Sequence, residues 1–383
     1  TDLVLIDRSS RRLIAFANAE WSGTFEWPST YGVGSIPTGI TVVDLNQDGL
    51  NDIAVVNSGS SSISLLANRG NGRFDGQQAF LISEKPVSVK AVRSYAGQSP
   101  TLLASHSNID KISIVRMNVA ANTAGVFGVP TGSNPYVLLA KQDSLGGQLE
   151  MLVRYTNPKD GSLSVSLFQQ IGGEQFLERS LRASLPGRIT ALTVDDYSGS
   201  GRYELVFVTH EKGSRQSTLS IAFSPQGFDF KTVKTLFSFA DSTGSVRSIV
   251  SGYLDDDSHK DLLLLMSSPR NSIGMVYGRE GENMFRDSIE VVRNVHPGGE
   301  DDLLIEDVNG DGHSDLTWLD SGKNAVLTMY GRGNRRFESP SVVCPATRIT
   351  AIQVASLKTR GVKDLILANG SRGSITILFD PFR

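Results

Sequence analysis

In the stretch "DLNQDGLND", Asp44, Asn46, Asp48 and Asp52 place side-chain oxygens at positions 1, 3, 5 and 9 of a loop, with Gly49 at position 6. Carboxylates crowded in this way repel, and burying them unpaired costs several kcal/mol each, so they need a cation among them or must splay into water. Alternation turns successive side chains inward, the glycine permits a sharp turn, and the carbonyl of Leu50 at position 7 can close the shell. Six to eight hard oxygen donors suit calcium, whereas magnesium demands a tighter octahedron and keeps its waters. An EF-hand opens with the same spacing but ends on a bidentate Glu at position 12 between two helices. Here position 12 is Val55, and the flanks "GITVV" and "DIAVVN" are rich in β-branched residues. The residues therefore predict a structural calcium loop joining two strands.

The loop recurs. "IEDVNGDGHSDLTWLD" repeats the offsets with Asp307, Asn309, Asp311, Gly312 and Asp315, and the carbonyl of His313 falls at position 7. "GYLDDDSHKDLLLL" keeps Asp255, Asp257 and Asp261 but has Tyr253 at position 1 and Ser258 for the glycine, so it is a worn third site. "DYSGSGRYELVFV" keeps Asp196, Ser198, Ser200, Gly201 and Glu204 and reads as a decayed copy, because the strand "ELVFV" follows where an adhesion-type Asp-x-Ser-x-Ser metal site needs a helix. "SLKTRGVKDLILA" carries Lys358 and Arg360 at positions 3 and 5, where a fixed cation can replace the metal.

Aligned on the strand after the loop, the units begin at residues 2, 52, 101, 150, 204, 261, 315 and 364. The period is near 50, with about four strands per unit: "ITVVDL", "DIAVVN", "SISLLAN" and "RFDGQQAFLI" in the first complete one. Such a period predicts a single all-β domain over 1–383, a propeller of four-stranded antiparallel blades. The middle strands are nearly continuous apolar runs, as expected where blades stack and bury both faces. The N-terminal segment offers "DLVLID" with "LIAFAN" and the C-terminal one "DLILAN" with "SITILF". Two sets of middle strands cannot share one blade, so the count favours eight blades over seven. Ring closure would then set "DLVLID" and "SITILF" in neighbouring or shared blades.

The unit resembles the FG-GAP or VCBS repeat, the blade type of the integrin α-chain head and of many bacterial surface proteins. The resemblance is carried by "DLNQDGLNDIAVVNSGSSSISLLANRGNGRF", and the turns "YGREGENMF" and "YGRGNRRF" place Phe285 and Phe337 where the first unit has Phe74. Between residues 87 and 190 it rests on period alone. It implies a calcium-stiffened, extracytoplasmic propeller used in adhesion, ligand binding or assembly, and no single activity.

Other features exclude more than they assign. A formal charge of -3 gives no basic field for nucleic acid. No 18-residue apolar run suggests membrane insertion, and the start "TDLVLIDRSSRRL" shows no signal-peptide order. Cys344 is the one cysteine and reads as a small buried hydrophobe. His106, His210, His259, His296 and His313 lack the paired spacing of a zinc or general-base site. No nucleophile elbow or phosphate loop occurs, so no catalytic residue is assigned. Trp21, Phe25, Trp27 and Tyr31 read as cover for an outer strand or filling for the closing seam, and "GRGNRR" (Arg332, Arg335, Arg336) as a solvated basic turn.

The sequence thus points to a non-catalytic, calcium-stabilised binding or adhesion module outside the cytoplasm, for a protein or carbohydrate ligand. A scaffold subunit of a larger assembly is the first alternative, and an enzyme with its site in the central channel the second. The calcium loops are expected on one rim of the ring. The ligand is expected on the other, among "NSGSSS", "THEKGSRQST", "SSPRNS", "ADSTGS" and "NVHPGGE", with Lys212, Arg215 and Arg270 as contacts.

Overall fold

A computed structural model of the chain describes residues 29–92, 99–118, 123–142, 148–157, 159, 161–181, 187–224, 230, 232–241, 246–267, 272–281, 284–293, 295–297, 301–346 and 348–382, with the backbone of 3–7 and 12–16. Strands β1 (Leu3–Asp7) and β2 (Arg12–Phe16) pair only with each other, and β3 (Ser29–Gly32) follows. Seven four-stranded antiparallel blades complete the fold. Blade 1 is β4 (Pro37–Val43), β5 (Asp52–Asn57), β6 (Ser62–Leu66) and β7 (Gln78–Leu81). Blade 2 is β8 (Pro86–Val92), β9 (Thr101–His106), β10 (Lys111–Asn118) and β11 (Thr123–Pro130). Blade 3 is β12 (Ser133–Gln142), β13 (Leu149–Thr156), β14 (Leu163–Gly172) and β15 (Gln175–Ser180). Blade 4 is β16 (Ile189–Asp195), β17 (Glu204–His210), β18 (Gln216–Phe223) and β19 (Thr232–Ala240). Blade 5 is β20 (Val246–Gly252), β21 (Asp261–Met266), β22 (Ser272–Val276) and β23 (Glu290–Arg293). Blade 6 is β24 (Leu303–Glu306), β25 (Asp315–Asp320), β26 (Ala325–Met329) and β27 (Ser341–Pro345). Blade 7 is β28 (Ile349–Ala355), β29 (Asp364–Asn369) and β30 (Ser374–Leu378), with β3 as its outer strand.

The propeller therefore has seven blades, and the eight-blade count is corrected. A pair of middle-type strands does not by itself make a blade. The C-terminal unit lacked only an outer strand, and Ser29–Gly32 supplies it by pairing Ser29 with Ile377 and Gly32 with Ser374. Among the described residues the hairpin of β1 and β2 pairs with no further strand, and it adds no blade. "SITILF" accordingly shares its blade with β3 and not with "DLVLID".

Apolar packing follows the seams between blades. Seven clusters of buried side chains form, one per seam, and each draws on two consecutive blades. Ile53 and Val55 of blade 1 meet Ile366 and Ile375 of blade 7, so the last seam is as dry as the others and the ring is closed. This explains why β5, β9, β21 and β25 are buried at every residue. Each lies mid-blade between two seams. Tyr31 of β3 seals the closing seam, set edge-on to Phe74 of blade 1 at 5.5 Å and 73°. Trp21, Phe25 and Trp27 lie outside the described residues.

From blade 7 through blade 1 to blade 5, the first strand of each blade touches that of the next, so first strands line the centre. Five of them bulge at their second residue: Thr38, Val87, Thr190, Arg247 and Thr350. A bulge re-aims one side chain, and here several stitch blades together. Thr38 Oγ1 donates to the carbonyl of Pro86 at 2.8 Å, Thr350 Oγ1 to that of Pro37, and Arg247 Nη2 to that of Pro297 at 2.6 Å. Antiparallel order puts first-to-second loops and third-to-fourth turns on one rim. Second-to-third loops and interblade links share the other.

Candidate metal centre

The loops of blades 1 and 6 share a set of hydrogen bonds, to which Asp307 adds the amide of Gly310 at 2.7 Å. Asp44 accepts the amides of Asp48 at 3.2 Å and Gly49 at 2.9 Å; Asp307 accepts those of Asp311 at 3.2 Å and Gly312 at 2.9 Å. Asn46 Oδ1 takes the amide of Asp48 at 2.9 Å, and Asn309 Oδ1 that of Asp311 at 2.8 Å. Asp48 and Asp311 accept the amides of Leu50 and His313, two residues on, at 2.8 and 3.0 Å. Gly49 and Gly312 take φ of +85° and +89°, a backbone region that a side chain strains. These bonds curl each loop around its own oxygens.

Asp52 and Asp315 face inward and are essentially inaccessible. Asp52 accepts the amides of Leu45 at 2.9 Å and Asn68 at 2.8 Å, and Asp315 those of Val308 at 3.0 Å and Gly331 at 2.8 Å. Each carboxylate thus joins its loop to the third-to-fourth turn of the same blade. No three His, Cys, Asp or Glu side chains among the described residues converge as a ready-made metal cluster. Burial pushes both carboxyls above the usual range, and the like charges of Asp48 and Asp44, or of Asp311 and Asp307, push the same way. A cation in the loop would relieve that repulsion. The donor set fits calcium: every available group is oxygen, and each carboxylate oxygen that accepts one amide keeps a second lone-pair direction.

The three other loops differ. In blade 4, Asp196 accepts the amides of Ser200 and Gly201 at 3.1 and 2.8 Å, while Ser198 Oγ donates to Glu204 at 2.8 Å, so the loop closes on itself. In blade 7, Lys358 Nζ stands 5.5 Å from the centre of the Phe379 ring, and Asp364 accepts the amides of Leu357, Lys358 and Asp380. In blade 5, Asp261 takes the amides of Leu254 and Gly278, both at 2.6 Å, and burial raises its carboxyl to about 6. There a guanidinium enters from the next blade: Arg335 Nε donates to Asp255 Oδ2 at 2.7 Å, with Nη2 3.8 Å from Asp257 Oδ2. The basic turn is therefore not simply solvated, as its composition suggested. Asp256 beside it pairs with His313 Nδ1 at 2.7 Å and accepts the amide of Asn334 at 3.3 Å.

The central channel holds a second group that sequence reasoning missed. Tyr136 of β12 donates to Asp301 Oδ1 at 2.5 Å, linking blade 3 to the approach of blade 6, which is not its neighbour. Lys90 Nζ and the Arg154 guanidinium stand 4.6 and 4.5 Å from the centre of its ring. This cluster is a strut held by cation–π contact and one charged hydrogen bond. Its residues come from three strands and the turn before β24, from Lys90 to Asp301, so the sequence carries no local signal of it.

His106 and His210 are buried against serines: Nε2 of His106 lies 2.9 Å from Ser113 Oγ, and Nδ1 of His210 lies 3.1 Å from Ser217 Oγ. Cys344 of β27 is half-buried, with its thiol pushed up to about 12 by burial. The chain matches no protein-family model and no curated protein.

Proposed function

We propose that this chain is a non-catalytic, calcium-stiffened propeller of the FG-GAP or VCBS type that works outside the cytoplasm as a binding or adhesion module. One observation carries the calcium reading. The loops of blades 1 and 6 share one set of hydrogen bonds around Asp44, Asn46 and Asp48 and around Asp307, Asn309 and Asp311. Among the described residues, the nearest cation to either set is Arg332, 3.9 Å from Asp311. These side chains, with the carbonyls of Leu50 and His313, would hold the ions, and Asp52 and Asp315 would complete the shells through the lone pairs their amides leave. The ion supplies charge neutralisation that stiffens one rim. The opposite rim is left to a protein or carbohydrate ligand, because its loops vary in length and charge on a rigid frame.

Thermal melts and elemental analysis test the reading. Saturating calcium should raise the melting temperature of the chelated protein, by about 2.7 kcal/mol of stability per site at a hundredfold excess over Kd. Asp48→Ala should lose one equivalent of bound calcium, and calcium should raise its melting temperature less than the parent's. A melting curve indifferent to calcium, with no metal bound, would remove the calcium reading. Arrays of glycans and extracellular proteins then test the binding role, and a chain that binds no ligand but co-assembles with a fixed partner would be a scaffold.

A further inference from the structure

Among the described residues, the acidic loop of blade 5 is the one whose carboxylates pair with a guanidinium from another blade. Arg335 lies in the turn before β27 and reaches back across the seam to Asp255 and Asp257. Its guanidinium also covers the ring of buried Tyr277, 4.7 Å from the centre. The Asp255 side chain is 5% exposed and that of Arg335 25%, so the pair is largely shielded from water. A guanidinium holds its charge at any ordinary pH and presents a fork of donors to carboxylate oxygens.

Blade 1 supplies an internal comparison. Aligned on Phe74 and Phe337, its turn is built on the same backbone bonds: Arg69 N to Arg73 O at 2.7 Å and Arg332 N to Arg336 O at 2.8 Å, then Arg73 N to Gly70 O and Arg336 N to Gly333 O, both 3.1 Å. The position held by Arg335 in blade 6 is Gly72 in blade 1. Gly72 faces blade 7, where a Cβ would meet Phe379 at 2.6 Å and where the loop has basic residues at positions 3 and 5. At this position the turn thus carries a cation where the facing loop is acidic and none where it is not.

We propose that Arg335 is the resident cation of the blade 5 loop, standing where blades 1 and 6 would take calcium, so that the seam between blades 5 and 6 closes without metal. The proposal rests on the calcium reading of those two blades. With Arg335 in place, a divalent ion would share its carboxylates with a fixed positive charge and be repelled. Without it, Asp255 and Asp257 would be open to an ion beside the buried, amide-bound Asp261, short of the ligand that Tyr253 replaces.

The test is calcium titration of the full chain after chelation, followed calorimetrically and by equilibrium dialysis, comparing wild type with Arg335→Gln. The variant should bind one calcium more than wild type, at about millimolar concentration as for weak extracellular sites. Its melting temperature in chelator should fall several degrees, with part of the loss recovered by calcium. Equal calcium counts in the two proteins would overturn the proposal, as would an equal melting deficit with and without calcium. The wild-type count is a separate readout: zero would remove the calcium reading of blades 1 and 6, while the difference between variant and wild type still decides the role of Arg335. If Arg335→Gln does not fold in chelator, the variant Arg335→Gln with Asp255→Asn and Asp257→Asn removes both signs of charge. Recovery of folding there supports a charge-balancing role, and continued failure shows Arg335 to be a packing residue only.

Discussion

Asp364 stands at the head of β29 in a loop that has lost every other acid, yet its carboxylate accepts three backbone amides. Asp52, Glu204, Asp261 and Asp315 occupy the same offset and accept loop amides in the same way. The acid at position 9 therefore has a task independent of metal, which is to satisfy amides that the loop would otherwise bury unpaired. Asp364→Ala should lower stability by about 3 kcal/mol, since each orphaned buried amide costs roughly 1 kcal/mol or more. The loss should be the same in calcium and in chelator, measured by urea unfolding. A loss that appeared only in calcium would make Asp364 a metal ligand instead.

Within an element, β9 ends on His106, whose imidazole is enclosed by blade 2. Its Nδ1 faces the carbonyl of Glu84 at 2.7 Å and must donate, which leaves Nε2 to accept from Ser113 Oγ. Burial holds the imidazole below its ordinary value, Lys111 acts in the same direction, and the Glu84 carbonyl opposes both. The folded chain therefore refuses a proton that the unfolded chain accepts from about pH 6.5 downward. His106 contributes fully above that pH, and the contribution falls as the pH drops from about 6.5 towards the lower folded value. Between pH 7.5 and 5.5 the wild type should lose on the order of 1 kcal/mol more than His106→Gln, read from urea midpoints. Equal losses would show that the acid sensitivity lies elsewhere.

Across the whole molecule, stability sits in seams and not in a central core, so anything that bridges neighbouring blades acts on the entire ring. Lys260 pairs with Asp195 between blades 4 and 5, and Lys363 with Glu306 between blades 6 and 7, both on the acidic-loop rim. That rim is tied together by charge. On the other rim, Lys212 and Arg215 are exposed in the loop between β17 and β18, and Arg270 lies outside the described residues. Lys212→Glu with Arg215→Glu should weaken ligand binding while changing stability by no more than about 0.5 kcal/mol, as is usual for exposed sites. Binding assays and melts on the same preparation separate the two effects. If the double variant bound normally while Asp48→Ala, still folded, did not, recognition would belong to the calcium rim.

Much of this architecture was legible in the residue order, for a physical reason. Strand burial and loop chemistry depend on residues two to nine apart, and a period near 50 repeats them, so all-β blades and the Asp-x-Asn-x-Asp-Gly loops could be read directly. Blade number could not, because it depends on which distant strand completes the C-terminal sheet, and Ser29–Gly32 does so across nearly the whole chain. The inward turn of Asp52 was hidden likewise, since its partner Asn68 comes from the far side of the blade. Arg335 meets Asp255 only because two blades stack, and Tyr136 meets Asp301 only because the ring closes. Sequence periodicity determined the repeating unit; the closed ring decided which charges face one another, because electrostatic pairing follows distance in space and not position along the chain.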